Sequence, residues 1–303
     1  MERTWKCLPV FAKATAFPGI VSTCGSTWLP SEREKSYPVL YLLDGQWTFK
    51  LLASIYFGLR HGMFVPEMII VGITYGGESP DYERLRAMDY TPTQAEGMEH
   101  TGDGPKFLAF LKKELIPFVE KNYRADSGDR VLGGSSFGGL FVMYTLFHEP
   151  EFFHRYISTS PSLAWDDKVT FRYEQAFAER NRKLTVKLFL SVGELEMKLR
   201  MVEPMKQMAQ ILEEPEYEGL VLTSMVISGE RHAGQFAWQC KGGASTRQEP
   251  CKSEGGLPNV YEQGPAWSMG DSGAGLHQFQ YLRLDLIGQI IPRRDHLIEI
   301  RIL

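Results

Sequence analysis

The stretch Val131-Leu132-Gly133-Gly134-Ser135-Ser136-Phe137-Gly138-Gly139-Leu140-Phe141 constrains the fold more than any other. It sets Gly134-x-Ser136-x-Gly138 after a short apolar run and before an amphipathic one carrying Leu140, Phe141, Tyr144, Leu146 and Phe147. Between a strand and a helix, that spacing makes a nucleophile elbow. The small residues at 134 and 138 let the chain reverse sharply without a side chain striking the strand or the helix. Ser136 is then held in a strained conformation with its hydroxyl above the sheet edge. A helix that begins at the serine offers free N–H groups and a dipole to negative charge developing there. The competing readings are a glycine-rich turn with a bystander serine and a phosphate loop. The phosphate loop lacks its lysine, and the G-x-G-x-x-G dinucleotide spacing is missing too.

The flanking chain has the alternation that such an elbow needs. Tyr37-Pro38-Val39-Leu40-Tyr41-Leu42-Leu43 reads as a buried strand stopped by Asp44-Gly45, and Trp47, Phe49 and Leu51 open a helix after it. Met68-Ile69-Ile70-Val71-Gly72-Ile73 is a second buried strand. Residues 84–93, with Arg84, Arg86, Asp89, Tyr90 and Pro92, read as a polar loop. Residues 107–123 have helical apolar spacing, with Pro117 placed to bend them. Strands follow at residues 130–133, 156–162, 186–193 and 220–227, with helices at 169–182 and 197–212. Strands alternating with helices predict an α/β fold with a mostly parallel central sheet and helices on both faces. Residues 1–36 are irregular in pattern, and Leu297-Ile298-Glu299-Ile300-Arg301-Ile302 alternates like a short strand without an obvious partner.

Bulk properties narrow the classes. A chain of 303 residues suits one large α/β domain or two small ones. Its 43% apolar and 23% charged content are ordinary for a globular protein, and a formal net charge of -4 gives no basic footprint for nucleic acid. No run of 18 apolar residues exists, so no membrane partner is expected. The N-terminal region is interrupted by Pro9 and Pro18 and forms no long apolar core, which argues against a secretory leader and points to the cytoplasm. The four cysteines, Cys7, Cys24, Cys240 and Cys251, fit no zinc spacing, and no metal site is expected. Residues 241–276 are rich in Gly, Ser, Gln, Glu and Pro, offer little apolar area, and read as flexible. The division is a poorly defined segment at 1–26, a catalytic domain at 27–240 and an atypical segment at 241–303.

Serine needs a base to take its proton and a carboxylate to hold that base. In this fold the order along the chain is serine, then acid, then histidine, each on a loop after a strand. His232, His277 and His296 all follow the candidate acids. His232 fits that order best, sitting just past the strand at 220–227. Glu194 and Glu196 both stand past the strand at 186–193, with Asp166 and Asp167 as alternatives on an earlier loop. The oxyanion needs two N–H groups aimed at one point. Phe137, next to the nucleophile, supplies one, and the Asp44-Gly45-Gln46 loop supplies the other.

These pieces together resemble the Putative esterase family of α/β-hydrolases, which contains esterase D and the enterochelin (siderophore) esterases. The resemblance rests on Tyr37-Pro-Val-Leu-Tyr-Leu-Leu-Asp-Gly45, Arg86-Ala-Met-Asp89-Tyr-Thr-Pro92, Gly134-Ser-Ser136-Phe-Gly138-Gly, Ser158-Thr-Ser-Pro-Ser162, Val192-Gly-Glu-Leu-Glu196 and Gly229-Glu-Arg-His232. They stand in the family's order across residues 27–235. It implies the α/β-hydrolase fold, Ser136 as nucleophile, His232 as base, and a glutamate after the sixth strand as acid, Glu196 in preference to Glu194. It also implies that Arg86 faces the site and meets substrate oxygens. The chain departs from the family in its first thirty residues and in the polar segment that follows the histidine. The expectation is a cofactor-independent serine esterase acting on a small-molecule ester. Acyl transfer to an alcohol and a binding protein that has lost the chemistry are the alternatives.

Overall fold

The computed structural model describes residues 7–10, 35–63, 65–76, 79–214, 217–234 and 298–302. In chain order, β1 is Cys7–Val10, β2 Tyr37–Leu42, α1 Gly45–His61, β3 Ile69–Tyr75 and α2 Tyr82–Tyr90. Next come α3 Gly104–Phe110, α4 Ile116–Asn122, β4 Ala125–Ser135, α5 Phe137–His148, β5 Arg155–Thr159 and α6 Trp165–Ala178. β6 Lys187–Gly193, α7 Val202–Glu213, β7 Val221–Ile227 and β8 Ile298–Ile302 complete the set. They build one sheet in the order β1-β8-β3-β2-β4-β5-β6-β7. From β3 to β7 every neighbouring pair is parallel, and β8 runs antiparallel to β3. The α/β-hydrolase fold expected from the sequence is the fold of the protein.

Two-residue periodicity explains how the strands serve both faces. Side chains of successive strand residues point to opposite sides. Val39, Tyr41, Leu43, Val71, Ile73, Leu132, Tyr156, Leu188 and Leu190 join one buried cluster with Phe107, Phe141, Met205 and Met208 from α3, α5 and α7. Their alternates Leu40, Leu42, Ile70, Val131, Ile157 and Phe189 join a second cluster with Phe49 and Leu52 of α1. With both faces covered, a strand such as β2 has no solvent side and needs no polar alternation.

The same order fixes where loops can form a crevice. From β2 the chain passes through α1 to β3 on one side, while β4 lies on the other side of β2. The connections diverge there, and the C-terminal ends of the two strands leave a gap at the reversal. Leu42 stands opposite Gly133, and the N–H of Leu43 donates to the Gly133 carbonyl at 2.9 Å. The residues after β2 and after β4 therefore emerge side by side.

Two sequence expectations change. Residues 84–93 are not a loop; most of them form α2, whose start is capped by the Asp81 carboxylate accepting the Arg84 N–H at 3.1 Å. The polar character misleads because Leu85 to Tyr90 are all buried, the charged ones among them included. The helix stops where it should, since Thr91 before Pro92 is extended (φ -94, ψ 134). The helical path continues through Pro117 with an irregularity directly before it. A wide turn over Leu111–Leu115, closed by Ile116 N–H to the Leu111 carbonyl, joins α3 to α4 just before the ring. The strand at the C-terminal end has partners after all, β3 and β1. The expected flexible segment at 241–276 lies outside the described residues.

The elbow makes a sharp stability contrast between two glycines. A Cβ on Gly134 would sit 2.5 Å from the carbonyl carbon and oxygen of Gly138, whereas one on exposed Gly58 in α1 would meet nothing within 4 Å. Gly134→Ala should cost roughly 2–3 kcal/mol, and Gly58→Ala should add about 0.5–1 kcal/mol. Urea midpoints should move in opposite directions; equal shifts would mean that the elbow has room to relax.

Candidate active site

Ser136 links β4 to α5 at φ 59, ψ -118, a conformation that a residue with a Cβ rarely adopts. Such strain costs on the order of 1–3 kcal/mol and persists only where surrounding bonds enforce it. Here the Ser136 N–H donates to the Thr159 carbonyl at 3.0 Å. Its own carbonyl accepts from Leu140 N–H at 2.9 Å and from Ser162 N–H at 3.2 Å. The serine is partly exposed, at the C-terminal edge of the sheet.

Two strands further along, β6 ends at Gly193 and a short 3-10 turn, Glu194–Leu199, follows. Glu196 is 1% exposed, yet its carboxylate is satisfied on every side. Oε1 accepts from Ser160 Oγ at 2.6 Å and from Gly193 N–H at 2.8 Å, and Oε2 lies 2.5 Å from His232 Nδ1. Burial works to raise this carboxyl, but the bonds from His232, Ser160 and Gly193 outweigh it and hold the pKa below the ordinary 4.5. A carboxylate can only accept, so the proton between the two groups sits on Nδ1. In the tautomer that donates from Nδ1, Nε2 carries the lone pair that a base would need.

Glu194, two residues earlier, has a different task. Its carboxylate accepts from Ser228 Oγ and from Gly229 N–H, both at 2.8 Å. The Leu195 N–H donates to the Glu230 carbonyl at 3.0 Å. These bonds fasten the loop after β7 to the loop after β6, three residues before His232. Asp166 and Asp167 lie in a left-handed turn at the start of α6, and their carbonyls accept from Arg172. His277 and His296 fall outside the described residues.

The candidate oxyanion side of the site lies at two helix starts. Phe137 opens α5, and Gly45 and Gln46 open α1. The first N–H groups of a helix have no intrahelical partner and carry its positive dipole end. A Cβ on Gly45 would stand 2.9 Å from the Gly72 carbonyl carbon, so only glycine lets α1 begin this close to β3. Gln46 is held by its side chain, whose Oε1 accepts from Thr74 Oγ1 at 2.9 Å.

Arg86 is placed otherwise than the resemblance implies. It is 5% exposed, and its guanidinium makes two bonds to Asp44, Nε to Oδ1 at 2.5 Å and Nη2 to Oδ2 at 3.0 Å. The Trp47 ring covers it at 5.0 Å. As part of α2, Arg86 turns onto the Asp44-Gly45-Gln46 loop, and its Nε and Nη2 are taken up by Asp44. Burial raises the Asp44 carboxyl against the pull of Arg86, while on Arg86 the pull of Asp44 outweighs burial and raises the guanidinium. Both carboxylate oxygens accept N–H bonds, so the pair is ionised. Sequence reasoning misses this pairing and the bond from Ser160 to Glu196. The first contact runs from helix α2 to the loop after β2 and the second between two loops, and only the hydroxyl motif Ser158-Thr-Ser-Pro-Ser162 hints at the second.

A parallel sheet with a strained serine elbow at its reversal point defines an α/β-hydrolase. Residues 10–232 match the Putative esterase family, and the chain belongs to it. Ferri-bacillibactin esterase BesA of Bacillus subtilis is 29% identical over 216 residues, 65% of this chain and 73% of that protein. The siderophore triacetylfusarinine C esterase of Aspergillus fumigatus is 31% identical over 150 residues, 48% of this chain and 51% of that protein. Among solved structures, the BES protein from Bacillus cereus superposes with a TM-score of 0.63 at 29% identity, covering 70% of this chain and 83% of that one. This kinship makes the chain a serine ester hydrolase. Among the described residues no helix is long and apolar enough to cross a membrane, and no cluster of three or more His, Cys, Asp or Glu could hold a metal.

The two glutamates should separate cleanly on mutation. Glu196→Gln should cost roughly two to four orders of magnitude in turnover, whereas Glu194→Gln should leave it within about threefold; the reverse pattern would move the acid two residues back. The lowered Glu196 pKa also sets a pH dependence. Its contribution to stability is complete above the ordinary 4.5 and fades as pH falls through the lower folded value. Urea midpoints followed from about pH 6 to about pH 3 should therefore fall less steeply for Glu196→Gln than for the parent chain.

Proposed function

We propose that the protein hydrolyses carboxylic esters through an acyl-enzyme on Ser136, with His232 as base and Glu196 as the group that orients it. One observation carries this reading: the buried, ionised Glu196 bonded to His232 Nδ1 at 2.5 Å, on the loops after β6 and β7 at the same edge of the sheet as the serine elbow after β4. Nothing in packing calls for a carboxylate with three bonds at 1% exposure, whereas a base that must become an imidazolium does call for one.

In the proposed cycle, Ser136 Oγ attacks the ester carbonyl carbon as its proton passes to His232 Nε2. The carbonyl oxygen takes the electron pair and becomes an oxyanion, held by the N–H groups of Phe137 and of Gly45 or Gln46. Collapse expels the alcohol, which leaves with the proton from Nε2. Water then repeats the sequence on the acyl-enzyme, releasing the acid and restoring the serine. Glu196 keeps its charge throughout and stabilises the imidazolium in both halves.

For substrate, the relatives point to siderophore esters and lactones. BesA is named for ferri-bacillibactin, and the fungal relative for triacetylfusarinine C. We place this chain with them as an esterase of siderophore-type or other small carboxylic esters. It needs no cofactor for this chemistry.

Ser136→Ala tests the mechanism, because it deletes one hydroxyl from a partly exposed turn and leaves the elbow's backbone bonds in place. Turnover of a catecholate trilactone, and of a simple aryl ester as control, should drop by at least roughly three orders of magnitude with the thermal midpoint unchanged. Fluorophosphonate labelling should vanish with it. Retention of most turnover would overturn the assignment. Turnover of the aryl ester alone would keep the mechanism and dismiss the substrate class.

A further inference from the structure

We infer that Arg86 is a positioning residue for the reaction: by clamping Asp44 from behind, it holds the oxyanion-binding N–H groups of Gly45 and Gln46 on target. The inference rests on the proposed acyl-enzyme mechanism and deepens it.

Asp44 is the residue on which the loop turns. It adopts a left-handed conformation, φ 59 and ψ 39, that is uncommon for a residue with a side chain. It is also the residue before α1, so its φ and ψ aim the first N–H groups of that helix. If Asp44 relaxed to an ordinary conformation, Gly45 and Gln46 would swing away from Ser136. Something must hold it, and the structure supplies a closed set of restraints. The Asp44 N–H meets Tyr90 Oη at 3.4 Å, and the Asp44 carbonyl accepts from Trp47 N–H at 3.0 Å, Thr48 N–H at 3.1 Å and Thr48 Oγ1 at 2.9 Å. Its carboxylate takes the two guanidinium bonds, with Gln46 Nε2 also on Oδ1 at 3.5 Å.

The carboxylate also ties this loop to the other half of the oxyanion site. A Cβ on Gly138, one residue past Phe137, would lie 3.3 Å from Asp44 Oδ2. The first turn of α5 thus packs directly on the clamped carboxylate. Moving Asp44 would disturb both helix starts at once, so the spacing between the two N–H donors depends on this pair.

A fork is needed for the task. Two N–H groups on two carboxylate oxygens fix the plane of the carboxyl as well as its distance, which a lysine ammonium cannot do. Arg86 itself is fixed by α2, with its guanidinium 5.0 Å from the Trp47 ring and 5.9 Å from the Tyr90 ring. It is 5% exposed, its Nε and Nη2 are committed to Asp44, and its Nη1 lies 3.9 Å from Glu83 Oε2, which favours positioning over substrate contact.

The test compares Arg86→Lys and Asp44→Asn with the parent chain. Active sites are counted by fluorophosphonate titration after prolonged exposure, so that turnover is expressed per competent molecule whatever fraction folds. Affinity for an aryl trifluoromethyl ketone, whose serine adduct carries the oxyanion, is measured alongside. The expected result is a fall in kcat per site of roughly ten- to a hundredfold, KM within about threefold, and a parallel loss of trifluoromethyl ketone affinity. Wild-type kcat per site would overturn the inference and assign the pair to folding alone. A raised KM with kcat unchanged would overturn it in favour of substrate contact. Neither result would touch the acyl-enzyme mechanism, which stands or falls on Ser136→Ala.

Discussion

The register of β2 against β4 is the constraint from which the site follows. These are neighbouring parallel strands with Leu42 opposite Gly133, so their exits lie one strand spacing apart. The chain diverges at this point because β3 lies on the far side of β2. One exit becomes the left-handed Asp44 and the start of α1; the other becomes the strained Ser136 and the start of α5. Two helix N-termini converge there on one small volume. Slipping the register by one residue would invert the faces of every side chain on β2 and separate the two starts. The geometry of the candidate site and the packing of the core therefore depend on the same ladder.

Both halves of the site rest on charges kept out of water. Asp44 is fully buried and Glu196 is 1% exposed. A buried carboxylate without partners costs several kcal/mol, which makes such groups rare outside of functional sites. Each of these has a cationic or cation-forming partner and further hydrogen bonds. Glu196 faces His232, which under the proposed mechanism gains its charge during the reaction, and Asp44 faces an arginine that is always charged. The first arrangement suits transient charge and the second suits rigidity. Truncating either partner of the Asp44–Arg86 pair leaves the other charge buried alone, so these positions tolerate little substitution.

Much of this is legible in the sequence for physical reasons. Strands buried on both faces give continuous apolar runs such as 37–43, and the glycines at 134 and 138 announce a turn that no other residue allows. Ser136 can be named because its neighbours dictate its conformation. Residues 84–93 mislead because polarity in a sequence looks like exposure; α2 buries Arg86 against a loop that is distant in sequence. Arg86 therefore reads as an exposed polar group, although its Nε and Nη2 are bonded to Asp44. The separate tasks of Glu194 and Glu196 cannot be read from spacing, since they depend on where the 3-10 turn at 194–199 begins. The partner of the strand at 298–302 is hidden because it pairs with β3, over two hundred residues earlier in the chain. Non-local pairing leaves no local pattern.

The central claim is that an ester substrate becomes covalently attached to Ser136. The most direct measurement is intact-mass spectrometry of protein quenched in acid within milliseconds of mixing with excess aryl ester, followed by peptide mapping. The account requires a transient mass increase equal to the acyl group, located on the peptide that contains Ser136. It also requires a burst of alcohol release matching the amount of protein, and slower decay of the adduct in Glu196→Gln than in the parent chain. Turnover with no adduct and no burst, under conditions where deacylation is made slow by a hindered acyl group, would contradict it.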